Sequence, residues 1–165
     1  MNINETIIIG IDPGTATTGY GLIKAKGKEY ECLGYGTIDT SAKWKPEDRL
    51  QKIGEDFNGL LNEYNPSVMA IESLFFFKNV KTALQVSQAR GVLLMFAAQK
   101  GLQVHEYTPL QAKMATVGYG KAEKRQVQEM VKILLNLDNI PKPDDAADAL
   151  AIAICHVSAQ ALRDL

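Results

Sequence analysis

The sequence predicts an α/β fold, and three observations carry that expectation. Three short β-favouring segments follow one another between Ile7 and Ile38 with only turns between them, the pattern of an antiparallel meander. Two further apolar segments, Val68 to Ile71 and Gln103 to Tyr107, read as a fourth and a fifth strand. Four stretches of helical periodicity alternate with or follow them, from Pro46, Val80, Ala122 and Asp144 onward.

The first strand is Ile7 to Asp12, apolar apart from Gly10 and ending in a carboxylate at the turn Pro13-Gly14. Gly19 to Ala25 is the second strand and Cys32 to Ile38 the third. Asp12 admits two readings on this stretch alone, a turn former in Asp-Pro-Gly or a ligand at the lip of the hairpin. Pro46 suits a first helical turn, and Leu50, Ile53, Phe57, Leu60, Leu61 and Tyr64 form one apolar stripe until Asn65-Pro66 stops the helix. The strand Val68 to Ile71 repeats the opening pattern, because the next residue is Glu72.

Phe75, Phe76 and Phe77 precede a helix from about Val80 to Lys100 whose second half, VLLMFAA, is apolar all round. Such a helix needs cover on every side. Two readings stand open: a homodimer packed through this helix, or a fully internal helix. His105, mid-strand in QVHEY, has no second metal-type ligand nearby and reads as structural. Gln111 to Lys121, with Gly118 and Gly120, reads as a mobile loop before the helix Ala122 to Leu135. Asp138 to Pro143 is a linker, and the last helix opens DDAADALAIAICH.

With 165 residues and 46% hydrophobic content, the chain suits one domain over residues 1–165. Cys32 and Cys155 lie far apart without a CxxC pair, which fits buried free thiols in a reducing cytoplasm. No signal pattern or run of ~20 apolar residues occurs, so a soluble cytoplasmic protein is expected. The net charge of -1 hides an asymmetry: Ser73 to Lys132 carries +6 and the remainder -7. A basic binding face beside an acidic centre produces such a split, and so do solvated helix faces.

The acids form the chemical signal. Helix capping accounts for one of Asp144 and Asp145. It does not account for Asp148, three residues after Asp145 on the stripe that continues to Ile152 and Cys155. Asp12, Glu72 and the pair Asp145 and Asp148 therefore point inward from separate elements. Clustered carboxylates repel unless a cation sits among them. Oxygen-only ligands suit Mg2+ or Mn2+ rather than zinc, and two such ions in one acidic cluster are the equipment of phosphodiester hydrolysis. The basic segment would then hold phosphates.

The stretches IGIDPGTATTGYG, AIESLFFFKN, TALQVSQARG, KMATVGYGKAEKRQVQEMV and DDAADALAIAICH, in this order over nearly the whole chain, resemble the RuvC family of crossover (Holliday) junction endodeoxyribonucleases. The resemblance implies an RNase H-like fold, a five-stranded mixed sheet with helices on both faces. It implies a homodimer that resolves four-way DNA junctions by paired symmetric nicks, in recombination and repair. By motif, the catalytic and metal-binding acids are Asp12, Glu72, Asp145 and Asp148, with Asp144 as the competitor for the third position. Phe75 matches an aromatic residue that inserts at the crossover, and Lys113 and Lys124 match basic positions near the site; Lys121 and Arg125 extend that basic DNA-binding set. The implied reaction is attack of metal-activated water on phosphorus, leaving a 5'-phosphate and a 3'-hydroxyl. A branch-migration complex is a further partner left open. Two other readings compete: a non-catalytic junction-binding module, which needs no converging acids, and an actin-like or sugar-kinase ATP-binding domain, which shares the opening motif but needs two related domains.

Overall fold

The structure, a computed structural model, describes residues 5–27, 29–74 and 79–163. The chain runs β1 (Thr6–Asp12), β2 (Thr17–Lys26), β3 (Glu29–Asp39), α1 (Pro46–Tyr64), β4 (Val68–Glu72), α2 (Val80–Gln99), β5 (Gln103–Tyr107), α3 (Pro109–Val117), α4 (Lys124–Leu134) and α5 (Asp144–Arg163). One five-stranded sheet has the order β3-β2-β1-β4-β5. The first three strands form the antiparallel meander, and β4 and β5 add in parallel beside β1. The sheet is mixed, as the RNase H-like expectation requires.

The period-2 alternation of the strands divides the core between the two faces. Ile9, Ile11, Leu22, Met69 and Ile71 pack with Ile53, Phe57 and Leu61 of α1 and with Ala89, Leu93 and Ala97 of α2. Ile8, Ile23, Val68 and Ala70 pack on the opposite face against α5 and, beyond it, Ala112, Val127 and Val131 of α3 and α4. Counting in twos from Ile8 puts Asp12 on the α5 face, and counting from Val68 puts Glu72 there too. Both acid-bearing strand ends thus face one helix.

Helix α5 lies unusually close to the sheet, and small residues on both sides permit it. Ala146, Ala147, Ala149, Ala151 and Ala153 are buried along it. A Cβ on Gly10 would overlap the Ala149 carbonyl oxygen, and one on Gly19 would overlap that of Asp145. Gly19 is the register partner of Asp12, so this contact sets the first turn of α5 directly beside the end of β1.

Three expectations change. Gln111 to Lys121 is not a loop: α3 occupies Pro109–Val117, with Pro109 in its first turn and a reciprocal cap between Thr108 and Gln111. Gly118 ends it at a positive φ of 76°, a conformation that glycine adopts freely. Helix α2 is not fully internal, because Leu93 and Ala97 are buried while Leu84 and Met95 are 61% and 48% exposed. Cys155 is buried as expected but Cys32 is only half-buried; both are free. His105 is packed against the ring of His156 at 4.6 Å, in keeping with a structural role.

Candidate metal centre and nucleic-acid interface

Three of the expected acids converge. Asp12 at the end of β1 and Asp145 and Asp148 on the first turns of α5 each place a carboxylate oxygen so that the three lie within 4.8 Å of one another. Glu72, at the end of β4, hydrogen-bonds Asp12. Asp144 does not join them. It turns outward, pairs with Lys142 at 2.8 Å, and is held below the usual carboxylate range by that lysine. Of the two adjacent acids, Asp145 is the one beside Asp12.

The electrostatics fit a cation. Burial first, then the hydrogen bond to Glu72 and the nearby charges of Glu72, Asp148 and Asp145, push the Asp12 carboxyl up to about 9. Burial likewise raises Glu72 and Asp148. Asp12 therefore keeps its proton at neutral pH when no metal neutralises the cluster. An all-oxygen donor set of this kind, half-buried and mutually repulsive, matches the preferences of Mg2+ and Mn2+.

Next to the acids lies a groove of about 240 Å³ bordered by Glu72, Asp148, Lys113 and Lys124, with Pro109, Ala112 and Val127 among its apolar walls. The groove lies between α3, α4 and α5, at the strand end that carries Glu72. The Lys124 ammonium sits 3.0 Å from Asp148 and 3.9 Å from Asp144. Burial alone would lower it, but the hydrogen-bonded Asp148 and the charges of Asp144 and Asp145 more than offset that, so it ends above its ordinary value and stays charged. Lys121 is exposed, and Arg125 pairs with Glu129 on its own helix at 3.0 Å; neither borders the groove. Phe75, with Phe76 and Phe77, lies outside the described residues.

Sequence reasoning missed Arg90. It is 6% exposed, donates to the Glu72 main-chain carbonyl at 2.7 Å, and pairs with Glu106 of β5. It ties α2 to the strand end that carries Glu72. It stands with Gln85, Ser87 and Gln88 in the mixed first half of the helix, so its surroundings in sequence do not set it apart.

Fold and site together define a class: an RNase H-like α/β protein with an oxygen-only acidic cluster at the end of its central strands. The family model for crossover junction endodeoxyribonuclease RuvC matches residues 8–156, and the chain belongs to the RuvC family. With the family comes the enzyme class, an endodeoxyribonuclease of crossover junctions. The chain is 57% identical over 150 residues to the RuvC of Halothermothrix orenii, covering 91% of each, and 56% identical over 149 residues to that of Heliobacterium modesticaldum, covering 90% of this chain and 92% of that one. A solved structure of T. thermophilus RuvC in complex with Holliday junction substrate matches with TM-score 0.92 at 33% identity over 96% of both chains. The yeast mitochondrial Holliday junction resolvase Ydc2, at 17% identity and TM-score 0.66, shares the fold.

Proposed function

We propose that this protein nicks four-way DNA junctions symmetrically, with Asp12, Glu72, Asp145 and Asp148 as its catalytic acids. The observation that carries the reading is the meeting of Asp12, Asp145 and Asp148, with Glu72 hydrogen-bonded to Asp12, beside a groove that bears Lys113 and Lys124. A binding module has no use for carboxylates that repel its ligand. The four acids would hold Mg2+, or Mn2+, as a pair of ions in each site. When bound, such ions supply Lewis acidity, making the attacking water more acidic and neutralising charge on the leaving 3' oxygen.

The remaining work falls to side chains. Asp12, protonated and hydrogen-bonded to Glu72 in the metal-free protein, would have to release that proton to solvent for both carboxylates to serve as ligands. Lys124, poised beside Asp148, is within reach of a phosphate in the groove, and Lys113 faces the same space from α3. Lys121 and Arg125 lie outside the groove and would meet the DNA backbone at longer range. Phe75 follows the Glu72 strand and would stack on a base at the crossover, worth about 1 to 3 kcal/mol.

Two sites on one symmetric junction call for two copies related by a two-fold axis. The exposed face of α2, with Leu84 and Met95, is the surface we assign to that homodimer. The whole of residues 1–165 acts as one nuclease domain in the cytoplasm, open to a branch-migration complex as partner. The test is a labelled four-way junction beside plain duplex of the same sequence. Paired nicks in the junction with 5'-phosphate ends are expected, and equal cleavage of the duplex would identify a general nuclease instead.

A further inference from the structure

A second cavity, of about 400 Å³, lies on the other side of the acid cluster. Gly14 and Thr15 of the β1–β2 turn, Arg49 of α1, and Thr82 and Gln85 of α2 line it, and Asp145 stands at its edge. The acids therefore form a partition. Asp148 and Glu72 face the groove of Lys113 and Lys124, and Asp145 faces this one.

The chemistry of the lining selects an anion. Arg49 supplies a positive charge, and among the described residues it has no carboxylate partner in an ion pair. Its Nε donates to Thr40 Oγ1 at 2.8 Å, which fixes the guanidinium plane and leaves the terminal nitrogens for a ligand. Thr15 Oγ1, shut off from solvent at the same turn, has no hydrogen-bond partner among the described residues. Thr82 and Gln85 add neutral donors from the first turns of α2. Apart from Asp145 no acid borders the space.

We infer that this cavity seats a phosphodiester of the DNA strand, next along from the one held at the acid cluster, with Arg49 as its binding group. This rests on the proposed junction-cutting role. A strand whose reacting phosphate lies at the cluster must continue past it, and Lys113 and Lys124 serve only one side. Arg49 serves the other. It lies outside the basic segment Ser73 to Lys132, so charge distribution along the chain does not reveal it.

The test is binding of a four-way junction by the full chain in EDTA, which prevents cleavage, across a series of salt concentrations. Arg49→Gln is expected to weaken binding and to make the slope of log K against log salt shallower by about 0.9, the value for one lost phosphate contact on duplex DNA. Arg49→Lys, which keeps the charge, is expected to restore the slope. Weaker binding with the parent slope would make Arg49 a structural tether to Thr40 and overturn the inference. If Arg49→Gln does not fold, Gln85→Glu decides alone: it leaves the Arg49 bond to Thr40 intact, is expected to weaken binding most at low salt, and overturns the inference if it binds as the parent does. A parent protein that fails to prefer the junction over duplex would instead defeat the junction-cutting reading itself.

Discussion

Arg90 donates a hydrogen bond of 2.7 Å to the main-chain carbonyl of Glu72. The guanidinium is buried and Glu106 occupies its other side, so α2 and the end of β4 are held as one unit. Arg90→Met would leave the Glu72 carbonyl without its donor, at a cost of about 1 to 3 kcal/mol. A fall of several degrees in Tm with a lower nicking rate is expected, followed by circular dichroism and by the junction assay. Glu106→Gln keeps an acceptor oxygen for the guanidinium but removes its countercharge, and should lower Tm by less than Arg90→Met does.

The contact of Gly19 with the Asp145 carbonyl makes a sharper claim about placement. Gly19→Ala forces α5 away from the sheet at the point where it carries an acid. Overpacking of this kind costs about 1 to 3 kcal/mol. Nicking is expected to fall by far more than that loss of stability explains, because the acid is displaced even in molecules that remain folded. Nicking that merely tracks the folded fraction would separate the glycine from the site.

The raised Asp12 carboxyl gives stability a pH dependence in metal-free buffer. Asp12 in the unfolded chain ionises near pH 4 but in the fold keeps its proton until about 9. The folded state therefore binds more protons than the unfolded one between these values, and stability falls as pH rises through that window. Glu72 and Asp148, both raised, act in the same direction. Asp12→Asn should flatten this slope and raise Tm at pH 8 in EDTA. Mg2+ should raise the Tm of the parent, increasingly so toward pH 9 as protons cease to compete, and should leave the variant nearly unchanged.

The exposed side of α2 is expected to be covered by a second copy. Met95→Glu places a charge where the parent has a half-exposed apolar side chain. Sedimentation at micromolar concentration should show a dimer for the parent and a shift toward monomer for the variant. Only monomer in the parent would remove the homodimer.

Much of this arrangement is readable in the residues. The alternation in Ile7 to Asp12 and Val68 to Glu72 sets both acids on one face, and the alanines of α5 with Gly10 and Gly19 allow the helix that brings the other two. The choice between Asp144 and Asp145 is not readable, because both sit in a first helical turn where either is stabilised; a lysine two residues before Asp144 turns it outward. Helix α3 is obscured by Gly118 and Gly120, which follow it, although Thr108, Pro109 and Gln111 are a start signal in plain view. Arg49 and Arg90 depend on which elements pack together in space, so their surroundings in sequence say little.

The most direct measurement compares Asp148→Asn with the parent on one labelled four-way junction, recording binding in EDTA and nicking in Mg2+ in parallel. Binding that persists while nicking is abolished is the expected result. Nicking retained at a rate close to the parent's would contradict the assignment of the acid cluster as the catalytic centre.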